Sequence, residues 1–202
     1  MIKQIEAYEP YNEQEARDKE IILSMLTEAE RMGEDIFSRE NRMAHMTASA
    51  WVVNRDRTKV LLAYYNIYNS WAWLGGHADG ERNLLSVAVR EVCEESGLTP
   101  AHVRPAWLIS QKGDLSQGSA GDIFSLEVLA VGGHFKKGEY ISSHLHLNVT
   151  YLLESDEEET LYKKEDENSS VKWFLPEEAL AASSEPWFAE HIYRKLNEKA
   201  GL

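Results

Sequence analysis

Residues 75–98 read GGHADGERNLLSVAVREVCEESGL. Leu84, Ala88 and Val92 recur every four residues, a spacing that predicts an amphipathic helix with one apolar stripe. The helix should run for about three to four turns. It should end at Gly97, a residue type that suits the left-handed conformation after a last helical turn. The stretch therefore predicts a glycine turn, a loop and a helix packed on a core.

Three glutamates, Glu91, Glu94 and Glu95, follow the other face of this helix. Their spacing of i, i+3 and i+4 places the carboxylates together on the helix surface. Like charges at this spacing repel by roughly 0.2–0.5 kcal/mol per pair. Arg90 reaches Glu94 at i+4, but one guanidinium does not neutralise three acids. A hard cation such as Mg²⁺ would, so the face predicts a metal site, with a solvated acidic surface as the alternative.

The string REVCEESGL at residues 90–98 resembles the second half of the Nudix box, G-x5-E-x7-R-E-U-x-E-E-x-G-U, where U is aliphatic. The first half departs from this pattern, because eight residues rather than seven separate Glu81 from Arg90. A shift of one residue in the loop would let Glu81 pair with the arginine, as the family's glutamate does. Leu74 also replaces a proline that commonly precedes the box glycine. On this resemblance the chain is identified as a member of the MutT-like Nudix hydrolases.

The resemblance implies a fold of the α/β class, the Nudix-type α/β/α sandwich with a mixed β-sheet. Composition and periodicity alone indicate only α/β or α+β. We expect a helical N-terminal extension over residues 1–45 and the Nudix domain over residues 46–202. The extension suits a packing element, a dimer contact or a lid. Helices are predicted over residues 11–32, 34–42 and 186–199 and from Pro176, strands over 46–54, 59–65, 103–111, 122–131, 144–154 and 171–175, and loops over 111–122 and 132–143.

The resemblance also implies roles for individual residues. Hydrolysis of a phosphoanhydride builds negative charge that metal ions stabilise, and a carboxylate takes the proton of the attacking water. Arg90 would orient the acids through Glu81. Glu167, six residues before Trp173, is similar to a glutamate that binds metal or acts as the base in many Nudix enzymes. The expected catalytic residues are Glu81, Arg90, Glu94, Glu95 and Glu167, and the expected ligands of Mg²⁺ or Mn²⁺ are Glu91, Glu94, Glu95 and the Gly75 carbonyl.

Other side chains are candidates for substrate contact. His144 and His146 lie on one face of the predicted strand 144–154, and His77 follows the glycine pair. The H-x-H pair also suits zinc or an ordinary strand surface, but no third ligand has a recognisable spacing. Trp73 suits stacking on a base, although aromatic residues before the box are as often core. Further candidates are Tyr68 and Trp71 for stacking, Lys136 and Lys137 for phosphate, and Glu165 and Asp166 as substitutes for Glu167.

The composition of the chain argues against a nucleic-acid-binding, membrane-spanning or secreted protein. The chain has 202 residues and a net charge of −13, with no basic stripe of the kind that nucleic-acid polymers require. It contains no long apolar run for a membrane span and no apolar signal region at its N-terminus. Its single cysteine, Cys93, suits a reducing cytoplasm. We therefore expect a cytoplasmic protein with a small-molecule nucleotide-type partner, and the N-terminal helix is compatible with a homodimer.

The predicted function is a metal-dependent pyrophosphohydrolase that cleaves a nucleoside diphosphate linked to another group. The alternatives are a catalytically silent Nudix-fold sensor, a nonenzymatic interaction protein and a prenyl diphosphate isomerase. The intact acids argue against the sensor. The isomerase uses a cysteine away from the box helix, whereas Cys93 lies inside it. Nucleoside triphosphates, dinucleoside polyphosphates, ADP-ribose, nucleotide sugars and dinucleotide cofactors all remain open as substrates.

Overall fold

The computed structural model of the protein describes residues 1–106, 121–136, 138–164 and 167–202. Its helices are α1 (Ile2–Ala7), α2 (Glu13–Met32), α3 (Leu84–Ser96), α4 (Pro176–Ala182), α5 (Pro186–Phe188) and α6 (Arg194–Ala200), with a π-helical turn at Ala189–Tyr193. Its strands are β1 (Ala44–Asn54), β2 (Val60–Tyr65), β3 (Ser70–Ala72), β4 (Leu74–His77), β5 (Arg104–Pro105), β6 (Ser125–Val131), β7 (His134–Lys136), β8 (Glu139–Ile141), β9 (His144–Ser155) and β10 (Asn168–Phe174).

Eight of these strands form one hydrogen-bonded sheet with the central order β10-β2-β1-β9-β5. β3 pairs with β2, β4 with β1 and β6 with β9, while β7 and β8 form a separate hairpin. The β6–β9 pair is antiparallel, with Val128 opposite Leu147. The β10–β2 pair is also antiparallel, with Val171 opposite Ala63. These pairings fix which side chains of neighbouring strands lie side by side.

The chain divides into two compact units that each combine distant segments. The first unit contains Met1–Ala48, Gly76–Val87 and Ile123–Thr150, and the second contains Ser49–Gly75, Ala88–Asp122 and Tyr151–Leu202.

In the first unit, α2 covers β6. The Asn12 side chain caps the helix by accepting a hydrogen bond from the Glu15 N–H at 2.9 Å. Gly33, with φ of 71°, ends the helix in the left-handed conformation. The predicted helix and its end are therefore confirmed. The apolar positions Ile22 and Leu26 are buried, as their helical spacing requires.

A buried carboxylate also joins the N-terminal segment to β6. Glu15 is 0% exposed, and the Ser125 hydroxyl donates to its Oε1 at 2.6 Å. The Tyr8 hydroxyl and the Tyr11 N–H both donate to its Oε2. Buried charged groups need several partners of this kind. Glu15 therefore fixes the start of α2 against the strand.

The second helix predicted at the N-terminus, over residues 34–42, is wrong. Turns and bends occupy this range instead. The Asp35 carboxylate accepts a hydrogen bond from the Phe37 N–H at 3.0 Å, a local turn that competes with helical hydrogen bonding. The predicted loop over residues 132–143 is also wrong, because it contains β7 and β8, whose Phe135 and Tyr140 rings lie 5.3 Å apart.

In the second unit, α3 ends as predicted at Gly97, with φ of 73°. A Cβ added to this glycine would lie 2.7 Å from the Cβ of Tyr162, so close packing adds to the conformational demand. The C-terminal helices follow, and Tyr193 of the π-helical turn stacks on Trp51 at 5.3 Å. Of the predicted strand 103–111, the described residues contain β5, and residues 107–111 lie outside them, as does most of the predicted loop 111–122.

Candidate functional site

Glu95 is the most deeply buried acid of α3. Its exposed fraction is 1%. The Tyr65 hydroxyl donates to its Oε1 at 2.6 Å, and the Gly75 N–H donates to its Oε2 at 3.0 Å. Burial raises the pKa of this carboxyl to about 8, although the two hydrogen bonds act to lower it. The prediction that all three acids lie on the helix surface is therefore wrong for Glu95, because Tyr65 of β2 and Gly75 of β4 cover it. The predicted glycine turn is also wrong, because both glycines lie in the strand β4.

Arg90 holds the other two acids of the helix. Its Nη2 donates to Glu91 Oε1 at 2.8 Å, and its Nε lies 3.8 Å from Glu94 Oε1. The Glu91 side chain is 12% exposed. Burial raises the pKa of Glu91, and the hydrogen bond from Arg90 partly offsets this rise. The guanidinium therefore orients two carboxylates directly.

In the loop before α3, Glu81 and Arg82 each contact a residue of the first unit. The Glu81 carboxylate accepts a hydrogen bond from the Asn83 N–H at 2.8 Å. Arg82, which takes the glutamate position of the strict box pattern, pairs with Asp35 at 3.0 Å. The pairing of Glu81 with Arg90 stays a prediction.

Lys164 joins Glu94 to Glu167, and sequence reasoning missed it. Its Nζ lies 3.1 Å from Glu94 Oε2 and 3.1 Å from Glu167 Oε2. Burial lowers the pKa of Lys164, but its hydrogen bonds to the two carboxylates outweigh this effect and raise the pKa overall. The signal in the sequence was a lysine within an acidic run. Two acids predicted separately thus share one cation.

Asn168 fixes this arrangement from the start of β10. Its side-chain amide donates to the Glu95 carbonyl at 2.9 Å, and its Oδ1 accepts from the Lys164 N–H at 3.2 Å. Asn168 is 0% exposed. The turn that carries Glu167 is thereby tied to the C-terminal end of α3. Glu165 and Asp166 lie outside the described residues.

The carboxylates fit a hard divalent cation by their chemistry. Glu91, Glu94 and Glu167 offer oxygen ligands, which Mg²⁺ and Mn²⁺ prefer. The ammonium of Lys164 already places one positive charge between Glu94 and Glu167. However, no three of these acids bring ligand atoms within 4.8 Å of one another in the described part of the chain. A cation bound here would draw the side chains closer.

The aromatic residues before the box are mainly core. Trp73 is 8% exposed, and its ring contacts Tyr193 edge-on at 5.7 Å. Trp71 contacts Phe174 at 4.8 Å. Tyr68 is more accessible, at 51% exposure. Base stacking by Trp73 stays a prediction.

The histidines predicted as substrate contacts lie in a cluster. His144 and His146 are joined by His45, whose ring lies 4.9 Å and 5.0 Å from theirs, and by His77, 4.9 Å from His146. His45 is thus a third histidine beside the H-x-H pair, although no third ligand has a recognisable spacing in the sequence. Sequence spacing could not reveal His45, because it lies about a hundred residues away on β1. Lys137 and the Lys136 side chain lie outside the described residues.

Comparisons with known proteins agree with this fold. A family model described as NUDIX domain matches residues 43–196. No curated protein matches the chain. A Caenorhabditis elegans Ap4A hydrolase in a binary complex is similar in structure, with TM-score 0.50 and 17% identity over 76% of this chain and 93% of the other.

Two further solved structures show the same likeness. A NUDIX family hydrolase from Clostridium perfringens has TM-score 0.50 and 20% identity over 80% of this chain and 97% of its own. A MutT protein from Methanosarcina mazei Go1 has TM-score 0.50 and 14% identity over 78% and 96%. The predicted α/β class and fold type are confirmed. Among the described residues, no helix is both long and apolar enough to cross a membrane.

Proposed function

The chain belongs to the Nudix hydrolase family, and from this premise we propose that it is a divalent-metal-dependent pyrophosphohydrolase. Its substrate is a nucleoside diphosphate linked to another group, and the bond cleaved is a phosphoanhydride. The family match covers the box helix and the segment that carries Glu167. The domain boundary at residues 45 and 46 remains part of this proposal.

One observation carries the proposal: Glu94 and Glu167 both contact the ammonium group of Lys164. Glu94 is 70 or more positions away in the sequence from Lys164 and Glu167. Acids that converge from distant segments need a reason, because their mutual repulsion destabilises the fold. Lys164 offsets part of this repulsion, and binding of a catalytic cation would offset more of it. A surface acidic helix alone would not recruit Glu167.

Each residue then has a role in hydrolysis. Glu91, Glu94 and the Gly75 carbonyl would hold Mg²⁺ or Mn²⁺, with Glu95 as a further ligand. The bound ion supplies charge stabilisation at the phosphoryl oxygens and a more acidic water. Glu167, or Glu94, accepts the proton of the attacking water. Arg90 keeps Glu91 in place through its hydrogen bond at 2.8 Å.

Glu95 is fixed more firmly than its neighbours. Tyr65 and Gly75 each donate to one of its two oxygens. Each carboxylate oxygen retains a second lone pair, so ligation remains compatible with these bonds. This rigidity suits a residue that must position a ligand atom accurately.

The experiment is product chromatography over a panel of nucleotides with Mg²⁺, with Mn²⁺ and with EDTA. The panel holds nucleoside triphosphates, ADP-ribose, nucleotide sugars, dinucleotide cofactors and Ap4A, which the C. elegans relative is named for. Cleavage of one or two compounds that EDTA abolishes is expected. No metal-dependent cleavage of any compound would overturn the proposal.

A binding module without turnover is the second candidate, and Lys164 favours it. Its ammonium neutralises Glu94 and Glu167 without a metal. Such a module would show ligand-induced thermal stabilisation by a nucleotide and no product with Mg²⁺ or Mn²⁺. In either case we propose a small nucleotide-type partner and a cytoplasmic location, with a homodimer as one assembly that sedimentation would test.

A further inference from the structure

Three histidines of the first unit place one ring nitrogen each within 4.8 Å of the others. His45 lies at the start of β1, and His144 and His146 lie at the start of β9. The Nε2 atoms of His144 and His146 are 3.2 Å apart. None of the three belongs to the carboxylate set of the proposed function.

Backbone carbonyls fix the tautomers of two of these rings. His45 Nδ1 lies 3.0 Å from the Asn41 carbonyl oxygen, and His144 Nδ1 lies 2.9 Å from that of Ser142. A carbonyl oxygen only accepts, so each Nδ1 must carry the hydrogen. The lone pair of each neutral ring therefore lies on Nε2. Metal-binding histidines are commonly held in this way, with the second nitrogen donating to a carbonyl.

His45 is the second, independent sign of a ligand. Its exposed fraction is 4%, and its Nε2 is buried without a hydrogen-bond partner among the described residues. Buried polar atoms are nearly always satisfied in folded proteins, so an exception needs an explanation. A hydrogen bond between His144 and His146 would account for that pair alone. It would leave the lone pair of His45 unsatisfied.

We propose that His45, His144 and His146 bind one transition-metal ion of the Zn²⁺ class through their Nε2 atoms. Zn–N bonds of about 2.0–2.1 Å in a tetrahedron place two ligand nitrogens about 3.3 Å apart. The observed 3.2 Å between His144 and His146 matches this distance. The ligand nitrogen of His45 lies within 4.8 Å of those of His144 and His146.

Imidazole ligands distinguish this site from the acids of α3. Imidazole suits Zn²⁺, Cu²⁺, Ni²⁺ and Co²⁺, whereas carboxylates suit Mg²⁺ and Mn²⁺. Three protein ligands leave a fourth position for water or another group. His77, whose ring centroid lies 5.1 Å from that of His45, is the nearest additional imidazole. The protein would thus hold two different kinds of metal ion.

The first test is a Zn²⁺ titration of chelator-treated protein against a chromophoric chelator. We expect one Zn²⁺ per chain, and no displacement by a large excess of Mg²⁺. The double variant His144→Ala/His146→Ala should bind Zn²⁺ at least about 100-fold more weakly. The matched control His134→Ala removes a half-buried histidine of β7 that is outside the triad, with its ring centroid 6.4 Å from that of His144. This variant should bind Zn²⁺ as the wild type does.

The second test uses Co²⁺ on the unaltered protein, so that it does not depend on the folding of variants. Visible d–d absorption of a tetrahedral nitrogen site is expected at one equivalent and should disappear when Zn²⁺ is added. Glu91→Gln and Glu94→Gln variants should keep this signal, which separates the site from the carboxylate set. Undiminished Zn²⁺ binding by the double histidine variant, or no Zn²⁺ binding by the wild type, would overturn the proposal.

Discussion

The acids around α3 and the histidines of β1 and β9 are both clusters of partly buried polar groups, but their charges are balanced differently. Positively charged side chains of the protein balance the acids. Arg90 donates a hydrogen bond to Glu91, and the Lys164 ammonium pairs with both Glu94 and Glu167. The histidines face one another, and burial keeps His146 neutral. The first cluster is therefore organised without an external ion. The second leaves a buried nitrogen lone pair that the described residues do not satisfy.

This difference in charge balance suggests different roles for the acids and for the histidines. A carboxylate site with its own cations can exchange ions during turnover, because losing a metal does not leave bare negative charges. A neutral imidazole site has nothing that substitutes for the metal. We therefore expect the acids to act in catalysis and the histidines to hold an ion more permanently.

The largest expected effect follows from replacing the carboxyl group of Glu95 with an amide. Glu95→Gln keeps an oxygen for Tyr65 but presents an NH₂ group to the Gly75 N–H. We expect kcat to fall at least about 10²-fold, the lower range for positioned acid–base groups, with the fold retained in circular dichroism. The control is Glu20→Gln, an exposed acid on α2. Full activity of Glu95→Gln would remove the acids from the catalytic role.

Zn²⁺ should stabilise the protein through the histidines. At a free concentration of one hundred times Kd, binding contributes about 2.7 kcal/mol to the free energy of unfolding. For a protein of this length, that corresponds to a rise in Tm of roughly 5–10 °C. Differential scanning calorimetry measures it. The same rise in His144→Ala/His146→Ala would contradict the contrast drawn between the clusters.

Gly97→Ala tests how strongly the packing of Gly97 against Tyr162 fixes the end of α3. The substitution forces alanine to a φ of 73° and places its Cβ 2.7 Å from Tyr162 Cβ. We expect a loss of about 2 kcal/mol or more in urea unfolding, from left-handed strain plus overpacking. Gly33→Ala is the matched control, since it has φ of 71° with open space around it. It should lose about 1 kcal/mol, and equal losses would show that Tyr162 does not confine the helix end.

The smallest effect is expected for Lys164→Met. The ammonium competes with a divalent ion for Glu94 and Glu167, so its removal should lower the Mg²⁺ concentration for half-maximal activity by a few-fold. Stability without metal should fall by less than about 1 kcal/mol, the range for partly exposed ion pairs. Lys163→Met is the adjacent control. An unchanged Mg²⁺ dependence would show that Lys164 plays no part as a counter-charge.

Sequence alone predicted the features that depend on local spacing. The helix α3, its end at Gly97 and the strand β9 all follow from residues within a few positions of one another. The match to the family pattern then indicated the fold. These features are the ones in which local preference and tertiary structure agree.

The remaining features depend on contacts between distant segments. Burial of Glu95 requires Tyr65, and the cluster at β9 requires His45, and no local pattern encodes either meeting. Lys164 lies in the acidic segment 154–168, and no spacing in that segment marks it as the partner of Glu94. The helix predicted at residues 34–42 is absent because the turn formed by the Asp35 carboxylate is favoured over a weak helical pattern.

The buried carboxylate of Glu15 has a consequence for any shortened form of the protein. A chain begun at residue 43, where the family match starts, would lack α2 and leave the face of β6 in water. The hydroxyl of Ser125 would lose its contact with Glu15 and keep the one with Glu127. The apolar surface that Ile22 and Leu26 cover would be exposed to water, and exposed apolar patches promote association. Such a fragment should aggregate on expression. The N-terminal segment thus keeps the domain from aggregating by covering the apolar face of β6. Substitutions on the face of α2 that contacts β6 should therefore be poorly tolerated.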